Sequence, residues 1–265
     1  CALPIFHLFD KNTFEHLASS TYQGQGPDEI TIIGHVGIDE TNRRFFVSDH
    51  GKLKIFAYDL DSVLTTPEYQ PSVKIDMKKK LFPDDYLYLN DTLCIAKIIE
   101  PIGNNDYKPS VARWNMATGE INPMPYEYPD LKKVRFIYAA SAEHQLYVQC
   151  YTQYDLMTIC DFNGNLKCNI YGPKWVNEKT QTQHYSLGVE FCGDKILALY
   201  SGGDHRTDAY YPTKFLVFDL NGNYLKTLET GYMITDFCYD KENNRLIINL
   251  NDEIQFAYLD LEGII

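Results

Sequence analysis

The sequence predicts an all-β protein, a β-propeller of about six four-stranded blades that occupies residues 1–265 as a single domain. Two recurring strand patterns and an aromatic-rich composition support this prediction. The chain has 21 Tyr and 14 Phe but only 2 Trp. Aromatic side chains fit a pleated, half-buried surface, so this composition favours sheet over helix.

The first pattern is an alternating apolar strand that ends on Asp or Asn and runs into a tight turn. Its six copies lie 41 to 58 residues apart, with a mean spacing of 50. This is the length of a four-stranded propeller blade. In two copies the turn contains Asn-Gly, at 163–164 and 221–222, which predicts a two-residue hairpin. The marker residues are Asp10, Asp59, Asn115, Asp161, Asp219 and Asp260.

The second pattern is a hairpin that precedes most copies of the first. Residues 36–48 and 236–249 match almost position by position, and weaker versions lie within 86–95, 136–148 and 189–199. A β-sandwich is the main alternative, but its strands would not repeat as blocks of four. The only segment with a possible helical turn is 78–85.

The chain opens at the third strand of a blade, so the first blade is expected to be incomplete in this chain. A propeller must close to protect its edge strands. We favour six blades, with closure as a five-bladed ring as the alternative.

Charge and hydropathy exclude some function classes. The net charge is −12, and Lys and Arg cluster only at 78–80, so nucleic-acid binding is not expected. No apolar run approaches the roughly 20 residues that a transmembrane helix needs. No signal peptide precedes Phe6. Cys1 is either a lipid-modified residue or a chance feature of where this sequence begins, and the strand that follows at once favours the second interpretation.

The seven cysteines are scattered and lack a C-x-x-C motif, which indicates buried, unreactive thiols. In the hairpin around Asn163-Gly164, the predicted register places Cys160 opposite Lys167. Cys160 and Cys168 are therefore out of register for a disulfide.

The segment Gly24-Gln25-Gly26-Pro27-Asp28-Glu29-Ile30 lies after a strand pair and before the next blade. It resembles the G-x-G-P-x-E signature of the TolB-like six-bladed propellers of Bacteroidetes. The resemblance implies an exported or envelope-attached binding or scaffold protein, periplasmic or on the cell surface, and it carries over no catalytic residues. From the residues alone, the segment is more simply a sharp connection between blades.

Two groups of residues are candidates for binding. The longest polar insertion, 201–211, follows the second strand of its blade and combines charged and aromatic groups suited to a sugar or a peptide. Its candidate ligand-binding residues are Asp204, His205, Arg206, Asp208, Tyr210 and Tyr211. A solvated surface loop is the alternative, and the second insertion, 100–109, has the same two interpretations.

The second group would lie at the mouth of the central channel, near the innermost strands. It consists of His35, Arg135, Glu190 and Asp236. Acidic residues and His in such a ring could hold a divalent cation, as in the lactonase-type propellers that this architecture resembles. They could equally be solvated polar groups that close the channel. The sequence identifies no metal ligand set.

The sequence contains no G-x-S-x-G motif and no H-x-x-x-H pair, and it predicts no catalytic residue and no cofactor. Two functions remain open. The first is a non-catalytic binding or scaffold propeller that presents loops to a protein or glycan partner in the cell envelope. The alternative is a calcium-dependent hydrolase or lyase that acts at the channel mouth. Neither the partner nor the oligomeric state follows from the sequence.

Overall fold

The computed structural model describes residues 4–66, 69–103, 106–129 and 131–265. These residues form meandering antiparallel sheets, the blades of a β-propeller, which confirms the predicted fold class. The chain divides into two compact units, Cys1–Pro123 and Met124–Ile265. The described residues of the two units form six sheets: four with four strands, one with three and one with two.

Unit 1 holds a two-stranded sheet followed by two complete blades. The two-stranded sheet, β1–β2, is the incomplete blade that the sequence predicts. The strands are β1 (Pro4–Phe9), β2 (His16–Tyr22), β3 (Ile33–Asp39), β4 (Arg44–Asp49), β5 (Lys54–Asp59), β6 (Ser72–Asp76), β7 (Phe82–Asn90), β8 (Leu93–Gly103), β9 (Asp106–Asn115) and β10 (Glu120–Pro123).

Unit 2 holds two complete blades and a three-stranded sheet, each with its strands paired in chain order. The strands are β11 (Phe136–Ser141), β12 (Leu146–Tyr151), β13 (Leu156–Asp161), β14 (Leu166–Tyr171), β15 (Thr182–Cys192), β16 (Lys195–Asp204), β17 (Lys214–Asp219), β18 (Tyr224–Glu229), β19 (Ile234–Asp240), β20 (Arg245–Leu250) and β21 (Phe256–Asp260).

The six Asp and Asn residues of the repeat each organise the turn that follows the third strand of a blade. Asp10 Oδ1 accepts a hydrogen bond from the backbone N–H of Asn12, and Asn115 Oδ1 accepts one from Ala117 N–H, at 2.8 and 3.0 Å. The other four markers make the same kind of bond to a backbone N–H two or three residues later. A short side-chain acceptor at this position fixes the reversal of the chain. The Asp or Asn that recurs in the sequence therefore marks the same turn, after the third strand, in each blade.

One of these turns becomes a short helix, α1 (Leu60–Thr65). Asp59 caps it by accepting a hydrogen bond from Ser62 N–H at 2.8 Å. The sequence predicts a tight turn here and its only helical turn at 78–85, and both predictions are wrong. Residues 78–81 make an isolated bridge, and β7 begins at Phe82.

The two Asn-Gly hairpins are wider than predicted. Gly164 has a φ of +79°, but Asn163 is not in the left-handed region, so the turn is not the two-residue type I′ turn. A bulge beside Cys160 places it opposite Leu166 and leaves Cys168 opposite Ile159. The prediction that Cys160 pairs with Lys167 is therefore wrong by one residue, because the observed partner is Leu166.

The six cysteines of the described residues are free thiols. Cys94, Cys150, Cys160 and Cys192 are buried, as expected. Cys238 differs from the expectation because it is exposed. Cys1 lies outside the described residues.

Successive residues of the inner strands pack against opposite neighbours. On β16, Ile196 and Ala198 pack against the blade of β11–β14, whereas Leu197 and Leu199 pack against the sheet of β19–β21. On β4, Phe46 likewise faces the following blade, and Phe45 and Val47 face β1. The period of two along a strand thus lets one strand build two hydrophobic cores.

Truncation of one of these inward side chains tests the packing. Ile159 on β13 is fully buried between two blades of unit 2, so Ile159→Ala is expected to lower the free energy of unfolding by about 2–5 kcal/mol. The control is Leu166→Ala on the adjacent strand β14, where the side chain is exposed and the expected loss is within about 0.5 kcal/mol. Urea titration of both variants measures the difference. Equal losses would contradict the packing described.

Candidate functional site

The insertion 201–211 leaves the end of β16 and is tied to its surroundings along its length. It contains a 3₁₀ turn at Asp208–Tyr210. His205 reaches the preceding connector, where its backbone N–H donates to Gln181 O at 3.1 Å and its Nδ1 lies 2.9 Å from the same oxygen. Gly203 lies so close to Ala209 O that a Cβ at this position would be 1.9 Å from it. The loop is therefore anchored at both its start and its middle.

The polar candidates of this loop bind one another. Asp204 accepts hydrogen bonds from the Arg206 backbone N–H at 2.9 Å and from Arg206 Nη2 at 3.0 Å. The Arg206 guanidinium lowers the pKa of Asp204 to about 2. The side chain of Arg206 is still 67% exposed, so part of its charge faces solvent.

The aromatic candidates of the loop stack on each other. The ring centroids of Tyr210 and Tyr211 are 4.2 Å apart, with an interplanar angle of 31°. Both side chains are half-buried, and Asp208 beside them is exposed. The insertion therefore keeps some aromatic surface accessible.

The second insertion is mostly an extension of the β8–β9 hairpin. Glu100 pairs with Lys108, and Pro101 with Tyr107, in the antiparallel register of the blade. Asn104 and Asn105 lie outside the described residues.

In unit 1, the channel-mouth candidate His35 pairs with the next blade. His35 Nδ1 lies 2.9 Å from Asp85 Oδ1, and its ring packs edge-on against Tyr86 with a centroid distance of 4.6 Å. This contact joins β3 to β7. It gives His35 a role in blade packing.

In unit 2, two of the remaining candidates act electrostatically on the same thiol. Partial burial of the Cys238 thiol, and then the charges of Glu190 on β15 and Asp236 on β19, raise the pKa of that thiol, although the residue as a whole is exposed. Arg135 precedes β11, and its carbonyl accepts a hydrogen bond from Thr152 N–H at 2.9 Å. Within the ranges that the structure describes, no three His, Cys, Asp or Glu side chains form a group suited to a metal ion.

Unit 2 also contains a buried polar cluster that the sequence analysis does not identify. Asp155, in the turn between β12 and β13, and His184 on β15 are both almost fully buried. His184 Nδ1 lies 3.2 Å from the Tyr200 hydroxyl and 3.7 Å from Asp155 Oδ1. Asp155 Oδ2 accepts a hydrogen bond from Lys174 N–H at 2.9 Å. The cluster thus joins two blades to the connector between them.

Burial shifts the pKa values of His184 and Tyr200. It lowers the pKa of His184, and the charge of Asp155 only partly opposes that effect. Burial and then the Asp155 carboxylate raise the pKa of Tyr200. Gly172 covers the carboxylate closely, because a Cβ at Gly172 would lie 2.2 Å from Asp155 Oδ1. The connector 172–181 can therefore lie flat on the cluster.

The segment 24–30 is a tightly bonded connector between β2 and β3. The Glu29 carboxylate accepts a hydrogen bond from Gly26 N–H at 2.7 Å, and Lys52 Nζ donates to Glu29 O at 2.6 Å. Asp49 accepts from the backbone N–H of Thr31 at 2.8 Å. Burial alone would raise the pKa of Asp49, but four backbone N–H donors outweigh it and lower the pKa. This geometry is that of a sharp inter-blade connection.

Comparison with protein families gives one match. A family described as a 6-bladed beta-propeller, DUF5128, matches residues 9–92, less than half of the chain. The comparison with curated proteins gives no match. In the described part of the chain, no helix is long and apolar enough to cross a membrane.

Solved structures share the fold at low sequence identity. A member of the DUF4221 family from Bacteroides vulgatus is 12% identical with a TM-score of 0.62, and the alignment covers 95% of this chain and 84% of that one. The extracellular domain of a one component system from B. thetaiotaomicron is 10% identical with a TM-score of 0.57, at 97% coverage of this chain. Here the chain spans only 31% of the other chain's length.

A third similar structure comes from a nidogen/laminin complex. It is 12% identical with a TM-score of 0.58, and the alignment covers 96% of this chain and 82% of that one. At such identities the likeness shows the fold alone, and that fold is the β-propeller.

Titration of His184 tests the description of the buried cluster. Its pKa is lowered in the folded protein, so between the unfolded pKa, near 6.5, and the folded one only the unfolded chain binds the proton. Above about pH 6.5, titration of His184 does not affect the free energy of unfolding. Below that pH the free energy of unfolding falls, by at most about 1.4 kcal/mol per pH unit for one proton. Urea unfolding from pH 7.5 to 5.5 measures this slope.

The variant His184→Gln is expected to be less stable than wild type at pH 7.5 but to lose less stability on acidification. Asp155, Lys174 and Tyr200 remain in place as the charged or titratable neighbours of residue 184. A variant that keeps the full wild-type slope would show that His184 does not cause it.

Proposed function

We propose that this chain is a non-catalytic binding module that presents loops of unit 2 to a protein or glycan partner in the cell envelope. The observation that carries the proposal is the anchored insertion 201–211. It holds an exposed guanidinium, Arg206, and a stacked pair of tyrosine rings on a backbone tied to the blade. Groups that are held in place before binding lose little conformational entropy on binding.

Two likenesses support the envelope location. The segment 24–30 resembles the signature of TolB-like propellers, which implies an exported protein. The solved structure from B. thetaiotaomicron with the same fold is an extracellular domain. Loops on a rigid scaffold are also the usual place for binding residues.

The alternative function, a calcium-dependent hydrolase or lyase, would use acidic residues at the channel mouth. Glu190 and Asp236 lie near a common thiol in unit 2, whereas His35 already pairs with Asp85 in unit 1. These contacts favour the binding module.

Thermal unfolding with and without ligands tests the proposal. A ligand that binds only the folded protein, at about 100 times its dissociation constant, adds about 2.7 kcal/mol and raises the midpoint by a few degrees. We expect no shift with excess calcium. We expect either a shift with one class in a panel of oligosaccharides or selective retention of a protein from an envelope extract.

The double variant Arg206→Glu/Tyr210→Ala is expected to lose this binding by at least about tenfold while its melting temperature without ligand stays near that of wild type. Leu166→Ala, at the far end of its blade, serves as the control that keeps binding. A calcium-induced shift would support the enzyme instead. Binding that is unchanged in the double variant would contradict a role for this loop.

A further inference from the structure

Three aromatic side chains form a partly exposed surface at the end of the blade β11–β14. We call Tyr128, Tyr171 and Trp175 the aromatic platform. The Tyr171 and Trp175 ring centroids are 5.1 Å apart, and those of Tyr128 and Trp175 are 5.9 Å apart. The hydroxyls of Tyr128 and Tyr171 lie 3.3 Å from each other. The planes of the three rings meet at angles of 60° to 75°, so the rings form one cluster of tilted and edge-to-face contacts.

The platform rests on a second layer of tyrosines. Tyr151 and Tyr154 are each only 2% exposed. Tyr151 lies 6.4 Å from Tyr128, and Tyr154 lies 6.3 Å from Trp175, between ring centroids. The Tyr154 hydroxyl donates to Lys132 O at 2.8 Å, which fixes the connector that carries Tyr128. The exposed rings are thus oriented before any ligand arrives.

The exposure of these clustered rings contrasts with the burial of the other tryptophan. The other tryptophan, Trp114, is 2% exposed in the core of its blade. Trp175, in contrast, is half-buried on the polar connector 172–181, and Tyr171 at the end of β14 is 49% exposed. A contiguous patch of exposed aromatic side chains, unlike a single exposed ring, is a candidate interaction site.

We propose that the aromatic platform binds the pyranose rings of a glycan. One face of a pyranose ring is a patch of C–H groups with hydroxyls around its rim. The C–H patch stacks on the electron-rich face of an aromatic ring, and the hydroxyls form hydrogen bonds at its edge. The platform offers both features side by side, since two of its three rings carry their own hydroxyl groups at the surface.

The lysines near the platform can attract the carboxylates of an acidic sugar. Four exposed lysines lie on the two connectors that supply Tyr128 and Trp175, although the protein as a whole carries a net charge of −12. Among the described residues of these connectors, the exposed acidic ones are Glu127 and Glu178. The lysines are Lys132, Lys133, Lys174 and Lys179.

This inference rests on the proposed binding role, but it names a surface other than the loop 201–211. Lys174 precedes Trp175 on the connector, and its Nζ would lie 3.6 Å from a Cβ at Gly202. The platform and the loop are thus close enough for one extended glycan, and either can fail in a test without the other.

Tryptophan fluorescence tests the inference, because Trp114 is buried and Trp175 is the accessible one of the two tryptophans. The probes are cellohexaose, maltohexaose and a hexamer of galacturonic acid, which separate β-linked, α-linked and acidic glycans. We expect a saturable change in emission with one of them. Calorimetry on the same oligosaccharide gives the affinity independently of fluorescence.

Variants of the platform separate it from the loop. Tyr171→Ala is expected to weaken the binding by about tenfold, with an unchanged melting temperature because this ring is exposed. Trp175→Phe is expected to abolish the fluorescence change while calorimetry still detects weaker binding. Tyr232→Ala removes an equally exposed tyrosine elsewhere in unit 2 and is expected to change nothing.

Glycan binding that is lost in Tyr171→Ala but kept in Arg206→Glu/Tyr210→Ala would support the platform and reject the loop. The reverse pattern would overturn this inference and leave the proposed function intact. The inference is also overturned if none of the three oligosaccharides binds. If Tyr171→Ala instead releases a protein that wild type retains, the platform is a protein-binding surface.

Discussion

Within each unit the blades depend on their neighbours, because a sheet of short strands has two faces and can bury them only by stacking. The strand β16 shows how the sequence meets this constraint. Ile196 and Ala198 enter one inter-blade core, and Leu197 and Leu199 enter the next. Such a strand can be apolar at every position because both of its faces lie in the protein interior.

The same stacking positions the candidate binding surfaces. Between the two complete blades of unit 2, the apolar core ends in the buried cluster of Asp155, His184 and Tyr200. Buried polar groups usually hydrogen-bond to one another or to the nearby backbone, as Asp155 Oδ2 does with Lys174 N–H. They hold the connector 172–181, and that connector in turn holds the loop 201–211 through Gln181. Buried contacts thus fix the position of the accessible residues of the loop.

The fold could be predicted from the sequence because its signals are local. Asp161 and Asp219 each bind backbone N–H groups within a few residues, so the turns recur visibly along the chain. Local detail was harder to predict, as the bulge at Cys160 and the helix after Asp59 show. The same bulge recurs beside Phe218 in the other Asn-Gly hairpin, so it belongs to the turn itself, and a pattern of apolar residues does not encode the choice of turn.

The candidate site could be predicted only in part. The insertion 201–211 is recognisable as a polar stretch between two strands. The contact of His35 with Asp85 and that of Asp155 with His184 join residues far apart in the chain, and no spacing rule predicts them. Trp175 could have been recognised from the sequence, because a tryptophan in a polar connector usually packs on a core or contacts a ligand.

The central claim is that buried contacts hold the binding surfaces of unit 2 in place, and amide hydrogen exchange tests it most directly. The backbone N–H groups of Lys174, Thr180 and His205 donate hydrogen bonds to Asp155, Gln153 and Gln181, respectively. We expect these three amides to exchange at least about 100-fold more slowly than in an unstructured peptide. Exchange of these three amides at unprotected rates, while β12 and β13 remain protected, would contradict it.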